Sequence, residues 1–237
     1  MSLQNIATIF RREIRFYFNS PIAYVVIIVF LSILGWFFSN NLFLMNIATL
    51  RIVFELVPLL FLFFAPAITM RLLAEEKKSG TLELLTTKPV RDVEIILGKF
   101  LAAWALLAAA LLPTLVYVVI IVFLGPLDVG PVITGYLGLL LMGGVYIAIG
   151  LFTSSITENQ IVAFIIGFLL VLTLFLLDKV LMYVPEGLAS TMEFLSVDYH
   201  LSNIARGVID SRDLLYFFSV LGFSLMLATV SLERRKW

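Results

Sequence analysis

Cysteine is absent from the 237 residues, which excludes a disulfide framework and any thiolate metal site and leaves the redox compartment unread. Histidine occurs once, at His200, so His-rich metal centres and H-E-x-x-H proteolysis are excluded too. No G-x-x-x-x-G-K-[ST] loop occurs, because Gly98-Lys99 is followed by Phe100 and lacks the upstream glycine. The chain therefore cannot cradle ATP by itself. G-x-x-x-G, internal repeats and any pattern suited to nucleic acid are also missing. Charge is scarce, at 14% of residues against about 25% in ordinary soluble domains.

Hydrophobic residues make up 62% of the chain, more apolar surface than a soluble fold of this size can hide. Uncharged stretches run from Phe16 to Leu50, Leu56 to Met70, Phe100 to Leu127, Val129 to Thr157, Asn159 to Leu177 and Leu214 to Leu232. A spanning helix needs about 20 such residues. In hydrocarbon every backbone amide must bond within its own segment, and these runs lack the alternation of barrel strands. The expected fold class is therefore all-α, a membrane protein of six transmembrane helices. The spans are placed at Ile22–Leu44, Ile52–Leu72, Phe100–Leu124, Val132–Ser154, Ile161–Leu181 and Leu214–Leu232. The first run is long for a signal peptide and no small-x-small cleavage site follows it, so it reads as an uncleaved anchor.

Net charge is zero, yet the charges segregate. Arg11, Arg12 and Arg15, then Arg71, Lys77, Lys78, Lys88, Arg91 and Lys99, then Arg234, Arg235 and Lys236 fall on one side. Arg51, Lys179, Arg206 and Arg212 fall on the other. The positive-inside rule makes both termini and the second connection cytoplasmic, in a multi-pass protein of the cell (inner or plasma) membrane.

On a helical wheel Ile6, Ile9, Phe10, Ile14, Phe16, Tyr17 and Phe18 share one arc, and Gln4, Asn5, Thr8, Arg11, Arg12 and Arg15 the other. Residues 1–20 thus read as an amphipathic interfacial helix on the inner leaflet, followed by a six-helix domain over 21–237. Glu13 falls in the apolar arc and must either snorkel or meet a basic partner, for which the second loop is one source. That loop, 71–99, continues helically to Lys78 and stops at Gly80, which suits the left-handed cap. Thr81 caps a second short turn through Leu85, Pro89 closes it, and Asp92 is expected as the N-cap of the third span. The external connection 178–213 keeps apolar residues a solvated loop would not need. Pro185 and Gly187 break the fifth helix, and Phe194, Leu195, Val197, Leu201, Ile204 and Val208 are spaced for short helices on or in the outer face.

Catalytic and metal-binding candidates are thin. Gly222-Phe223-Ser224 superficially matches a G-x-S nucleophile, but Ser224 would lie about 16 Å down the last span. His200 is outside it, beyond proton-sharing range. Ionisable groups in a bilayer are functional candidates by default, and Glu55 qualifies. It follows Arg51 by four residues near the outer interface, so an interfacial ion pair is the preferred reading. Scarcity of buried charge argues against a proton- or sodium-coupled carrier. Pro58 and Pro66 are expected to kink the second span and Pro113 the third. Gly144 and Ala148 suit close helix packing.

In the second loop Ala74-Glu75-Glu76-Lys77-Lys78-Ser79-Gly80-Thr81-Leu82-Glu83-Leu84-Leu85, with Pro89-Val90 and Leu97-Gly98-Lys99-Phe100, resembles the E-E-x-x-x-G-T-[LI]-E-x-L-L-x-x-x-P pattern of ABC-2 type transporter permeases. Ser154 to Phe164 and Asp198 to Phe217 look like the gliding-motility-associated, GldF-like branch. The resemblance implies a type V exporter-like dimer, with a second permease copy or a related permease. Each loop would dock on a separate cytoplasmic ABC ATPase that binds the ATP and magnesium, so no cofactor is expected in this chain. The segment matching Leu72 to Leu85 would be the coupling helix, and residues 1–20 an elbow that also meets the ATPase. Glu75, Glu76, Lys77, Lys78, Gly80, Thr81, Leu82, Glu83, Arg11 and Arg12 are the implied coupling residues, where a plain charged loop would only secure orientation. Membrane lipid and an auxiliary large membrane protein are further expected partners. Two alternatives stand beside a permease: a non-transporting mechanotransmission or assembly component, and a channel or secondary carrier whose ion flux would need no ATPase. The 21 phenylalanines suit lipidic, polymeric or peptide cargo and equally a lipid-facing surface.

Overall fold

The computed structural model describes residues 2–45, 49–81, 90–180 and 192–234. Among these every regular element is helical, and six helices are long and apolar enough to cross a membrane. The chain is a multi-pass membrane protein. Helix α1 (Leu3–Asn19) ends at Ser20, whose extended backbone (φ −101°, ψ 156°) turns the chain before α2 (Pro21–Phe43). Pro21 starts α2, where a missing amide is harmless. Helix α3 (Arg51–Lys78) remains helical through Pro58 and Pro66 and runs past the apolar stretch to Lys78.

The third span consists of α4 (Asp92–Leu111), a 3-10 turn at Leu112–Thr114, and α5 (Leu115–Leu124). The turn contains Pro113, whose ring and missing amide interrupt the ladder. Helices α6 (Val129–Ile156), α7 (Gln160–Val180), α8 (Val197–Ala205) and α9 (Ser211–Glu233) complete the bundle. Four spans thus reach several residues beyond their apolar runs, because helical backbone continues until a cap or glycine stops it. The external connection shortens accordingly. Asp92 is not the cap of α4: Arg91 is, with extended φ −82° and ψ 146°, and Asp92 is the first helical residue. Thr81 is the last described residue before 90, and the remainder of the turn expected through Leu85, with Leu82 and Glu83, lies outside the described residues, as do Pro89, Pro185 and Gly187.

Helix α6 is the axis of the bundle, with 72% of its most apolar window buried against 17% for α7. It packs on α3, α4, α7, α8 and α9. Small residues allow this approach: a Cβ on Gly144 would stand 3.2 Å from Leu221 and 3.4 Å from the Trp104 indole nitrogen, and Ala148 is fully buried. Trp104 donates to the Leu140 carbonyl at 2.9 Å, tying α4 to α6. Phe30 stacks on Phe61 at 5.9 Å and Phe38 on Tyr117 at 4.4 Å, which hold α2 against α3 and α5. Trp36, Phe63, Phe123, Leu169 and Phe223 face outward, as lipid-contacting side chains should.

Helix α1, the end of α3, the start of α4 and the ends of α6 and α9 meet at one end of the bundle, called proximal below. At the distal end α8 presses Val197, Leu201 and Ile204 into the bundle, while Phe194, Leu195 and Val208 remain exposed.

Gly98 is the close-approach point between α1 and α4, where a Cβ would meet Ile9 Cγ2 at 2.7 Å and the Ile6 carbonyl oxygen at 3.2 Å. Overpacking of this kind costs about 1–3 kcal/mol. Gly98→Val is expected to lower the melting temperature of the detergent-solubilised protein and to expose α1 to protease. Wild-type melting and wild-type digestion together would refute this seating of α1.

Candidate functional site

The proximal end gathers charge from three helices. Amphipathicity seats α1 on α4, but Glu13 lies on its buried side. Lys99, two turns into α4, is buried more deeply still, at 1% exposure. Its ammonium stands 3.0 Å from Glu13 and 2.9 Å from Glu76 of α3. Arg12 approaches Glu76 at 3.8 Å from the exposed side, so the four charges sum to zero. Glu13 thus meets a basic partner instead of snorkelling. Because a cation without water needs its counter-charge nearby, Lys99 joins α1, α3 and α4.

Further bonds set the same three helices. Glu94 accepts from the Ser2 amide at 2.5 Å, from Asn5 at 2.8 Å and from the Arg91 amide at 3.2 Å, so one carboxylate caps α4 and anchors the start of α1. Tyr17 donates to the Ile68 carbonyl at 3.1 Å. Burial, with Glu13 adding its negative charge, pushes that phenol far above its ordinary range, and Tyr17 remains a donor. The Arg71 guanidinium lies 4.0 Å over the Phe16 ring and 3.5 Å from Glu75.

The end of α3 projects from this junction. Gly80 has φ +69°, a conformation that side chains resist. Its amide bonds the Lys77 carbonyl at 3.1 Å, while Ser79 bonds the Glu75 carbonyl at 2.9 Å. Thr81 Oγ1 lies 2.9 Å from Ser79 Oγ. Lys77 donates to the Ser155 carbonyl at the end of α6. Arg11, Arg12, Glu75 and Lys78 are exposed. A cleft of about 720 Å³ opens here between α1 and α3, with Arg11, Arg15, Arg71, Glu75 and Lys99 among its walls.

Of the coupling residues that the resemblance implies, Glu76 and Arg12 enter the charged cluster, Glu75 pairs with Arg71 on its own helix, and Lys77 reaches α6. Arg11 lines the cleft, and Lys78 stands at the end of α3. Sequence reasoning overlooked Lys99 as a centre, because a lysine between two apolar runs reads as a topology marker. It also overlooked Ser154, whose hydroxyl touches α3. A buried-face Glu13 was the one available signal.

At the distal end Arg51 and Glu55 pair at 2.6 Å with both side chains more than half exposed. Lys179 bridges Asp198 at 2.6 Å and Asp178 at 3.3 Å, beside a cleft of about 1190 Å³. His200 is occupied: Nδ1 lies 2.6 Å from Asp213 and Nε2 2.9 Å from the Phe194 carbonyl, with Tyr216 stacked at 4.0 Å. Ser224 is buried inside α9, so the two form no nucleophile–base pair. This His200–Asp213 clasp was illegible, since thirteen residues separate the partners. Among the described residues no group of three or more His, Asp or Glu could hold a metal ion.

Residues 44–197 match a family model described as ABC-2 family transporter protein. No curated protein matches the chain.

Removing one partner of a buried ion pair costs about 3–5 kcal/mol, because the other charge is left unpaired. Lys99→Met is expected to destabilise the purified protein on that scale in thermal unfolding. Adding Glu13→Gln and Glu76→Gln should recover most of the loss. A Lys99→Met protein that melts like wild type would remove Lys99 from the centre of the junction.

Proposed function

The chain belongs to the ABC-2 transporter family and is a permease component of an ABC transporter, and from this premise we propose that its proximal end receives a separate ATPase subunit. The observation that carries the reading is the Lys99 cluster. It locks the projecting end of α3 and the amphipathic α1 to the base of α4, so that a push on either cannot be absorbed as local loop motion. Positive charge concentrates on the same end, which supports a cytoplasmic placement for both termini.

In this reading Gly80 terminates the lever, and Glu75, Lys78 and Arg11 offer charge to the ATPase surface. ATP closes the ATPase pair, and two permease copies tilt as rigid bundles about their interface. Catalysis stays with the partner, and the direction of movement is outward. The gliding-motility-associated branch rests on the likeness of Ser154–Phe164 and Asp198–Phe217.

The test is co-purification of the tagged chain with its cognate ATPase and hydrolysis in reconstituted membranes. Glu76→Lys reverses a charge in the cluster, and Gly80→Pro cannot adopt positive φ. Gly80→Pro, at the exposed end of α3, is expected to insert and fold yet lose association and stimulated hydrolysis, and Glu76→Lys to lose both together with part of its thermal stability. Undiminished association in both variants, or none in wild type, would overturn the reading in favour of an ATPase-independent channel or carrier.

A further inference from the structure

Ser154 lies near the end of α6 with no exposed surface, and its hydroxyl is bonded to the backbone of a different helix. It donates to the Met70 carbonyl at 2.9 Å and accepts from the Leu73 and Ala74 amides at 3.1 and 3.0 Å. In a regular α-helix the Met70 carbonyl and the Ala74 amide serve each other. Here one hydroxyl from α6 engages both. A side chain set into the ladder is one of the identifiable causes of a helix joint, and this one falls where the apolar span of α3 ends and its projecting segment begins.

The preceding turn is splinted as well. Pro66 contributes no amide to the ladder, Thr69 Oγ1 bonds back to the Ala65 carbonyl at 2.8 Å, and Tyr17 of α1 holds the Ile68 carbonyl. From Ile68 to Ala74 the backbone of α3 is therefore held by side chains of α1 and α6 in addition to its own bonds. Ser155 extends the node, since its carbonyl accepts from Lys77 of α3 and from Ser231 of α9 at 3.1 Å. Two consecutive residues of the central helix thus collect the projecting segment and the last turn of α9.

We infer that Ser154 is a positioning residue that makes the projecting segment of α3 and helix α6 move as one body, so that displacement at the proximal end reaches the distal cleft through α6. This rests on the ATPase-coupled reading above. The distal contact is direct: α8 packs on the backbone of α6 at Gly138, where a Cβ would stand 2.7 Å from Leu201 Cδ1. Ser154 lies sixteen residues further along the same helix, about 24 Å at 1.5 Å per residue. Without the hydroxyl, the amides of Leu73 and Ala74 revert to intrahelical bonds alone, and α3 can slide on α6.

The absence of native cysteine makes a single-thiol experiment possible. Ala205→Cys places one thiol on α8 at the wall of the distal cleft. Its maleimide labelling rate is measured in the permease–ATPase complex in phospholipid vesicles, nucleotide-free and trapped with ATP and vanadate. The parent is expected to change rate on trapping. Ser154→Ala should still assemble and hydrolyse ATP but lose that change, and Ser154→Thr, which keeps the hydroxyl, should retain it. If Ser154→Ala fails to fold, the near-isosteric pair Ser154→Thr and Ser154→Val decides, with the response kept in the first and lost in the second. A response in Ser154→Ala or Ser154→Val equal to the parent overturns the inference, as does a parent that hydrolyses ATP with no change at Ala205→Cys. A parent that neither assembles nor hydrolyses fails the coupling reading itself, and this inference with it.

Discussion

A lysine ammonium shielded from water must be neutralised where it stands, and in this protein the two carboxylates that neutralise Lys99 come from different helices. Glu13 arrives on α1 and Glu76 on α3, while Lys99 itself belongs to α4. None of the three helices can shift without separating charges in a medium that screens them poorly. The seating of the amphipathic helix, the course of the projecting segment of α3 and the entry of the third span all follow from this one constraint. Glu94, with its bonds to Ser2, Asn5 and Arg91, keeps α1 in the register that brings Glu13 to Lys99.

Helix α6 carries the remaining architecture by a different means. In hydrocarbon, apolar burial does little to bring helices together, so contact depends on small side chains and on polar bonds between helices. Gly138 and Gly144 admit neighbours to the backbone, and Trp104, Ser154, Lys77 and Ser231 add hydrogen bonds along the same helix. The two ends of the bundle differ accordingly. Proximally, backbone groups of α3 and α6 are joined by hydroxyl and ammonium donors. Distally, the buried imidazole of His200 on α8, between Asp213 and the Phe194 carbonyl, fastens the helical turn preceding α8 to α9. The family relationship gives a permease, and the proposed ATPase docking assigns the proximal network a mechanical task that lipid embedding alone would not require.

The number of spans, their helical nature and the amphipathic character of α1 were decided by the sequence, because apolar run length and charge placement act locally and the bilayer enforces the rest. The stop at Gly80 was legible for the same reason, since positive φ is a property of one residue. The need of Glu13 for a basic partner was legible too, but the choice of Lys99 was not. Eighty-six residues separate the two, and only the packing of α1 across α4 brings them together. Arg91 displaced Asp92 as the cap by a single residue because Glu94, three residues on, claims the Arg91 amide in a local capping box. Ser154, His200 and Asp213 looked like isolated polar residues. Tertiary structure alone decided their roles, because a hydrogen bond between helices depends on their relative depth and rotation, which no local pattern encodes.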